Sequence, residues 1–202
     1  MKTSKEVFFW NTLNKAKQEF VPLKEGEVSM YTCGPTVYNY AHIGNLRSYV
    51  MADLIKRVLL LNGLKVKQIM NITDIGHLTG DADDSGEDKM VNALKRENKA
   101  LTIENLKNLG EFYFAKFKED LEAMNILFPD NFIFASDETA EYSRLIKDLL
   151  EKGVAYKTTS TIYFDTTKIA NYGAFGGSAS AEHGRIEVDP EKKHPEDFAL
   201  WK

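Results

Sequence analysis

Cysteine occurs once in this 202-residue chain, at Cys33, so no internal disulfide can form and packing alone must hold the fold. A chain with so little cysteine reads as intracellular, and a cytoplasmic location is expected. Long apolar runs are missing too. Nothing approaches the ~20 residues of a membrane-spanning helix, and the opening MKTSKEVFFWNTL holds no apolar segment of signal-peptide length. Positive charge is not in excess: 26 Lys and Arg against 30 Asp and Glu leave a net charge of −4. Composition therefore gives no support to nucleic-acid binding, although a local basic patch is still allowed. There is no phosphate loop of the GxxxxGK[ST] type, no GxSxG elbow and no internal repeat. What remains is ordinary for a globular chain, with 43% hydrophobic and 28% charged residues and enough length to bury a core.

Residues 27–32 (EVSMYT) predict a short strand running into the turn Cys33-Gly34-Pro35. From Leu46, the positions Tyr49, Val50, Leu54, Val58 and Leu61 recur at helical spacing, with Arg47, Asp53, Lys56 and Arg57 largely off that stripe. Asn62-Gly63 supplies a stop, and residues 65–72 (KVKQIMNI) return to a strand pattern. Strand, loop, helix and strand make a βαβ unit, which should cross over right-handed and bind ligands at the carboxyl ends of its strands. Both the loop after Tyr31 and the NITD segment (71–74) fall there. A polar stretch (76–88) leads into a long helical region whose stripe is Leu106, Leu109, Tyr113, Phe117, Leu121 and Met124, broken at Phe128-Pro129-Asp130. Ser136 is a candidate cap for a further helix with Leu145, Ile146, Leu149 and Leu150, ended by Gly153. Residues 154–165 predict a hairpin with a polar turn, and the Gly/Ala/Ser-rich residues 173–184 a mobile surface loop. The closing run DFALWK stops without a cap or turn signal, so the chain is expected to be cut short there.

The chemistry concentrates in YTCGPTVYNYAHIGN, residues 31–45. Glycine backbone and imidazole at a helix N-terminus suit a phosphate, with His42 and the Asn45 amide as donors and Gly44 letting a ligand approach the backbone. The short spacing H-x-G-N is weakly specific alone, and its place between strand and helix raises it. A single cysteine is more often a small buried hydrophobe than a ligand, and one thiolate cannot hold zinc. His77, His183 and His194 show no metal-type spacing with Cys33. The acidic run 81–88 begins like a calcium loop, but its twelfth place is Asn92 instead of a bidentate glutamate, so it reads as a solvated turn. Lys89, Lys95 and Arg96 read as part of a solvated helical face, and the aromatics of FYFAKF (112–117) as core.

The stretches MYTCGPTVYNYAHIGNLRSYVMADLIKRVL, NITDIGHLTGDAD, GEDKM and EVDPEKKHPEDFALWK, in that order, resemble the cysteinyl-tRNA synthetase family. The resemblance covers nearly the whole chain and implies an α/β fold: a Rossmann-type parallel sheet with a HIGH-like motif, interrupted by an α+β connective insertion. It places the first half of the Rossmann domain at 1–125 and the insertion, with the start of the return, at 126–202. The motif is HIGN here, Asn45 replacing the second histidine but keeping an amide donor.

By this resemblance, Pro35, Thr36, His42, Gly44 and Asn45 bind ATP, with His42 and Asn45 catalytic. Cys33 and Thr73 then serve the amino-acid site, with Cys33 also the first zinc ligand. Zinc would bind the substrate cysteine through its thiolate, rejecting serine without a separate editing domain. The implied activity is Mg-ATP-dependent conversion of L-cysteine to cysteinyl-adenylate, then transfer to tRNA-Cys, by a protein that is monomeric when complete. The family's other zinc ligands, its KMSKS loop and its anticodon-binding domain lie beyond the matched residues. Little aminoacylation is therefore expected of these residues alone, with Cys33 a free thiol. Two alternatives are a related cysteine ligase acting on an amino sugar and a non-catalytic module that binds nucleotide or a partner.

Overall fold

Three runs rich in β-branched and aromatic residues, Glu27–Thr32 (β3), Lys65–Ile72 (β4) and Asn131–Phe134 (β5), build a parallel sheet in the order β3-β4-β5. Its register runs from Glu27 opposite Lys65 to Thr32 opposite Met70, and from Ile69 opposite Asn131 to Ile72 opposite Phe134. The computed structural model describes residues 6–75, 89–175 and 189–202. These form two compact units, residues 6–75 with 89–137 and residues 138–175 with 189–202. The acidic run 81–88, His77, His183 and most of the 173–184 loop lie outside the described residues.

In the first unit a hairpin of Phe8–Asn11 (β1) and Ala16–Glu19 (β2) precedes the sheet. Helix α1 (Ile43–Leu61) joins β3 to β4, while α2 (Lys89–Arg96) and α3 (Ile103–Ala123) lie between β4 and β5. Parallel neighbours need such crossovers, because a tight turn cannot reverse the chain twice. Met70 and Ile72 of β4 share one buried cluster with Tyr49 of α1 and with Leu109, Tyr113, Phe117 and Leu121 of α3, so both helices cover the same sheet face. Phe114 lays its edge on Phe132 and Phe134 of β5, ring centroids 5.0 and 4.9 Å apart. The strands at 27–32 and 65–72 and the α3 stripe from Leu106 to Leu121 agree with the sequence reading, whereas Met124 lies past the helix end and is 37% exposed.

Helix α1 departs from that reading in two ways. It begins at Ile43, with His42 as its cap, three residues before the predicted start. Its buried residues are Tyr49, Ala52, Asp53, Lys56 and Leu59, whereas Leu54, Val58 and Leu61 are 51%, 40% and 85% exposed. The polar pair is buried because it grips the connection between α3 and β5. Asp53 accepts from the Leu127 N–H at 2.9 Å and from Arg57 at 2.6 Å. Arg57 also donates to the Asn125 carbonyl at 2.5 Å, and Lys56 to the Phe128 carbonyl at 2.8 Å. A periodicity that counts only apolar residues cannot find such a face. The helical region after residue 88 is likewise two helices, separated where Asn98 takes φ 55° and Thr102 caps α3. Helix α3 itself ends at Ala123, with Met124 as its cap and Asn125 at φ 55° turning the chain away, before the predicted break at Phe128.

The second unit holds helix α4 (Thr139–Glu151) and an antiparallel sheet of Ala155–Lys157 (β6), Ile162–Phe164 (β7) and Phe198–Trp201 (β8) in the order β6-β7-β8. The predicted hairpin is β6-β7, and the closing apolar run is its third strand. Gly153 (φ 68°) ends α4 as expected. Ser136 does not cap that helix: the cap position is Glu138, without a side-chain bond, and Ser136 is drawn instead to Asp74.

Candidate active site

Beyond Thr32 the chain lies directly against the end of β4, and Gly34 permits it. A Cβ built there would stand 1.8 Å from the Asn71 carbonyl oxygen and 2.8 Å from Met70 Cγ. No other residue fits without moving backbone. The Gly34 N–H donates to Asn71 Oδ1 at 3.1 Å, and the Tyr31 hydroxyl donates to the same oxygen at 2.8 Å. Pairing then continues past the strand ends. The Thr73 N–H reaches the Pro35 carbonyl and the Val37 N–H the Thr73 carbonyl, each at 3.0 Å, with Thr36 bridged parallel to Thr73. The Asn71 amide donates to Thr73 Oγ1 at 3.4 Å. Pro35, Thr36 and Thr73 are thus knitted together at the carboxyl ends of two adjacent parallel strands, where α/β folds bind ligands.

Cys33 is exposed at this end, not buried as a small hydrophobe would be. Tyr49, 6% exposed, has its phenol pushed up to about 12, by burial first and by its electrostatic interaction with Cys33 second. Its ring packs edge-on against Phe117 with centroids 4.9 Å apart, inside the buried cluster.

His42, Gly44 and Asn45 meet at the start of α1. The Gly44 and Asn45 N–H groups donate to His42 Nδ1 at 3.1 and 3.3 Å, and the His42 N–H donates to Asn45 Oδ1 at 3.2 Å. This reciprocal pair is a capping box with imidazole in the usual hydroxyl place. A Cβ on Gly44 would sit 2.9 Å from His42 Cε1, so glycine leaves room for the imidazole ring.

Three residues that the sequence reading passed over hold this loop and its neighbours in place. Asn71 gathers Tyr31, Gly34 and Thr73, as described. Arg96, read as solvated, donates to the Tyr38 carbonyl at 2.9 Å and to the Tyr113 hydroxyl at 3.1 Å. Tyr113 donates onward to Glu97 at 3.0 Å and packs edge-on with Tyr40. The Lys99 ammonium and the Tyr113 hydroxyl hold the Glu97 carboxyl below its ordinary range, against the opposing effect of partial burial. Asp74 accepts from the Ser136 N–H at 2.9 Å and from its hydroxyl at 2.5 Å, tying NITD to the segment after β5. Of these, Asn71 and Asp74 could have been suspected, because NITD stands at the carboxyl end of a parallel strand, where α/β folds bind ligands. Arg96 carried no such signal.

The family described as tRNA synthetases class I (C) catalytic domain matches residues 19–202. A cysteine–tRNA ligase of Zymomonas mobilis is 41% identical over 202 residues, covering all of this chain and 38% of that protein. One from Treponema denticola is 41% identical over 194 residues, covering 95% of this chain and 38% of its own length. Among solved structures, the arginyl-tRNA synthetase of Thermus thermophilus is 16% identical with a TM-score of 0.42, covering 93% of this chain and 35% of that one. That last likeness is too loose to add to the fold already described. The chain spans about two fifths of the length of the curated relatives it matches. With a matching family model over nine tenths of its residues and HIGN opening the helix that joins two parallel strands, the chain belongs to the class I (C) tRNA synthetase catalytic-domain family.

Proposed function

We propose that this chain works as part of a cysteine–tRNA ligase, supplying the side of the active site that receives ATP and cysteine. The observation that carries the reading is the meeting, at the carboxyl ends of β3 and β4, of an exposed thiol (Cys33), the Thr36–Thr73 pairing and the start of α1. In the reaction so proposed, a cysteine carboxylate oxygen attacks the α-phosphorus of ATP, and the α–β phosphoanhydride bond breaks to release pyrophosphate. A terminal ribose hydroxyl of tRNA-Cys then attacks the acyl carbon and AMP leaves. His42, helped by Asn45, donates to phosphate oxygens as negative charge builds on them, and the protein's dipoles are already aimed when it does. Pro35, Thr36 and Gly44 shape the nucleotide side, Thr73 and Cys33 the amino-acid side. Magnesium accompanies the ATP phosphates, and the cytoplasm is the compartment this role implies.

Zinc belongs to the same reading only in part. Cys33 can supply one thiolate, but among the described residues no group of three or more His, Cys, Asp or Glu could hold a metal ion. A zinc site needs about four ligands, so these residues do not compose one by themselves and no step is routed through the metal. Among the described residues no helix is long and apolar enough to cross a membrane.

The test is ATP–pyrophosphate exchange on the longest polypeptide that carries this sequence, with cysteine and serine as competing substrates and bound zinc assayed alongside. Cysteine should drive exchange and serine should not. Exchange driven by another amino acid, or none with any, would sink the reading.

A further inference from the structure

Residues 37–41 carry the chain from the Thr36–Thr73 bridge across to His42 and α1. After Val37, the bonds made by their N–H groups are local. The Tyr38 N–H donates to the Thr36 carbonyl at 3.0 Å and the Tyr40 N–H to Asn39 Oδ1 at 2.9 Å. The tie to the rest of the unit comes from a distant helix. Arg96, the last residue of α2, donates through Nη2 to the Tyr38 carbonyl at 2.9 Å and to the Tyr113 hydroxyl at 3.1 Å. A guanidinium can only donate, so the phenol oxygen accepts there and gives its own proton to Glu97 at 3.0 Å. Lys99 holds Glu97 in turn, at 2.7 Å. The Tyr40 ring meets Tyr113 edge-on, centroids 5.3 Å apart. Tyr38 and Tyr40 are thus fastened to one pair, Arg96 and Tyr113. That pair has a firm base, since Met90, Ala93 and Leu94 of α2 are each 1% exposed and Tyr113 is 6% exposed.

We propose that Arg96 is a positioning residue for adenylate formation: it fixes residues 38–41, so that the chain delivers His42 to one place beside the ends of β3 and β4. The reaction it serves rests on the function proposed above; the clasp itself stands on the geometry alone. A connection free to drift would deliver His42 to many places, and a misplacement of about 1 Å costs on the order of 10²-fold in rate. The planar guanidinium suits this work, because one nitrogen serves a carbonyl and a hydroxyl in fixed directions. A lysine there would keep the charge on a compact ammonium without that geometry.

Arg96→Ala, Arg96→Lys and Tyr113→Phe are made in the longest polypeptide that carries this sequence, and adenylate formation from ATP and cysteine is followed in a single turnover. Rate and amplitude separate positioning from folding. A misplaced site works slowly in every molecule, whereas a damaged fold leaves fewer molecules working at the normal rate. Arg96→Ala should slow the step on the order of 10²-fold at full amplitude, and Arg96→Lys should recover part of the rate. Tyr113→Phe keeps the ring against Tyr40 and removes one acceptor, so it should slow the step about five-fold. An unchanged rate in Arg96→Ala, or a loss confined to amplitude, overturns the proposal. If Arg96→Ala does not fold, the other two variants decide by the same criterion. If the unsubstituted polypeptide forms no adenylate, the function proposed above has failed, and amide exchange in the ligand-free chain judges the clasp. Protection of the Tyr38 N–H should then fall about five-fold in Arg96→Ala, with Met70 and Ile72 unchanged. An unmoved Tyr38 would overturn the clasp as well.

Discussion

Around the parallel sheet the centre is apolar: Met70, Ile72, Leu109, Phe117 and Leu121 are each at most 2% exposed. Around the antiparallel sheet the centre is one ring, Tyr163, ringed by carboxylates that grip hydroxyls and backbone. Asp197, 1% exposed, accepts from the Tyr156 hydroxyl at 2.7 Å, from the Thr166 N–H and hydroxyl at 2.9 and 3.0 Å, and from the His194 N–H at 3.2 Å. Asp189 takes the Tyr163 hydroxyl at 2.6 Å, and Glu191 the Thr158 hydroxyl at 2.5 Å. The lesson is one of size and means. A 21-residue helix laid on three strands can be held by area removed from water. Strands of three and four residues cannot bury enough, and directed bonds from acidic side chains make up the difference.

The most severe break in the first unit should come from backbone, not from lost area. Gly34→Ala places a methyl inside the van der Waals radius of the Asn71 carbonyl oxygen. The expected cost exceeds about 4 kcal/mol, so urea unfolding should show a collapsed midpoint or no native baseline. A milder result would mean that the 33–37 segment is freer than its bonds indicate. Leu109→Ala opens a cavity at a fully buried position and should cost about 3 kcal/mol, by the same amount at pH 7 and pH 4.

Asp197→Asn tests the other means. It keeps the shape but replaces one acceptor oxygen with a donor facing hydroxyl and amide hydrogens, at an expected cost of about 2 kcal/mol. Amide exchange at Tyr163 and Phe164 should accelerate, while Met70 and Ile72 report the first unit separately. The finest distinction is acid sensitivity. Burial alone would raise the Asp197 carboxyl, but bonds from Tyr156, Thr166 and His194 hold it below its ordinary range. Tyr163 does the same for Asp189, and the Thr158 and Ser160 hydroxyls for Glu191. A carboxyl that is more acidic when folded contributes fully above the ordinary carboxylate range and loses that contribution as pH falls through its folded value. Protection in β6–β8 should therefore fall on acidification below about pH 4, ahead of protection at Met70. Equal loss in both units would erase the comparison.

How much of this was legible varied with the kind of interaction. Strands β3 and β4, the α3 stripe and the β6-β7 hairpin could be read because each repeats an apolar pattern long enough to register. The β1-β2 hairpin was missed, since its turn uses Lys15 at φ 48° where a glycine or asparagine would have signalled it. The gap between α2 and α3 did carry such a signal in Asn98 at φ 55°, which the continuous helical reading overlooked. The family motif brought Cys33, Thr36, His42, Asn45 and Thr73 into view. It gave no role to Asn71, although NITD contains it, or to Arg96, because their work is to hold atoms of distant segments, and such contacts leave no period in a sequence. Asp53 and Lys56 were placed on the wrong face for that reason.

The grip of α1 on the turn after α3 bears on what substitution can do there. Asp53, Lys56 and Arg57 take hold of the Leu127 N–H and the Phe128 and Asn125 carbonyls, atoms that every residue type except proline offers. Apart from the Lys56–Asp130 ion pair at 3.5 Å, the clasp reads main chain and is blind to the side chain at Leu127, so drift at that position, proline aside, should be tolerated. The same drift at Asp53, Lys56 or Arg57 would leave a buried partner stranded. Variation among natural sequences should therefore be lopsided across this contact, loose on the turn and tight on the helix.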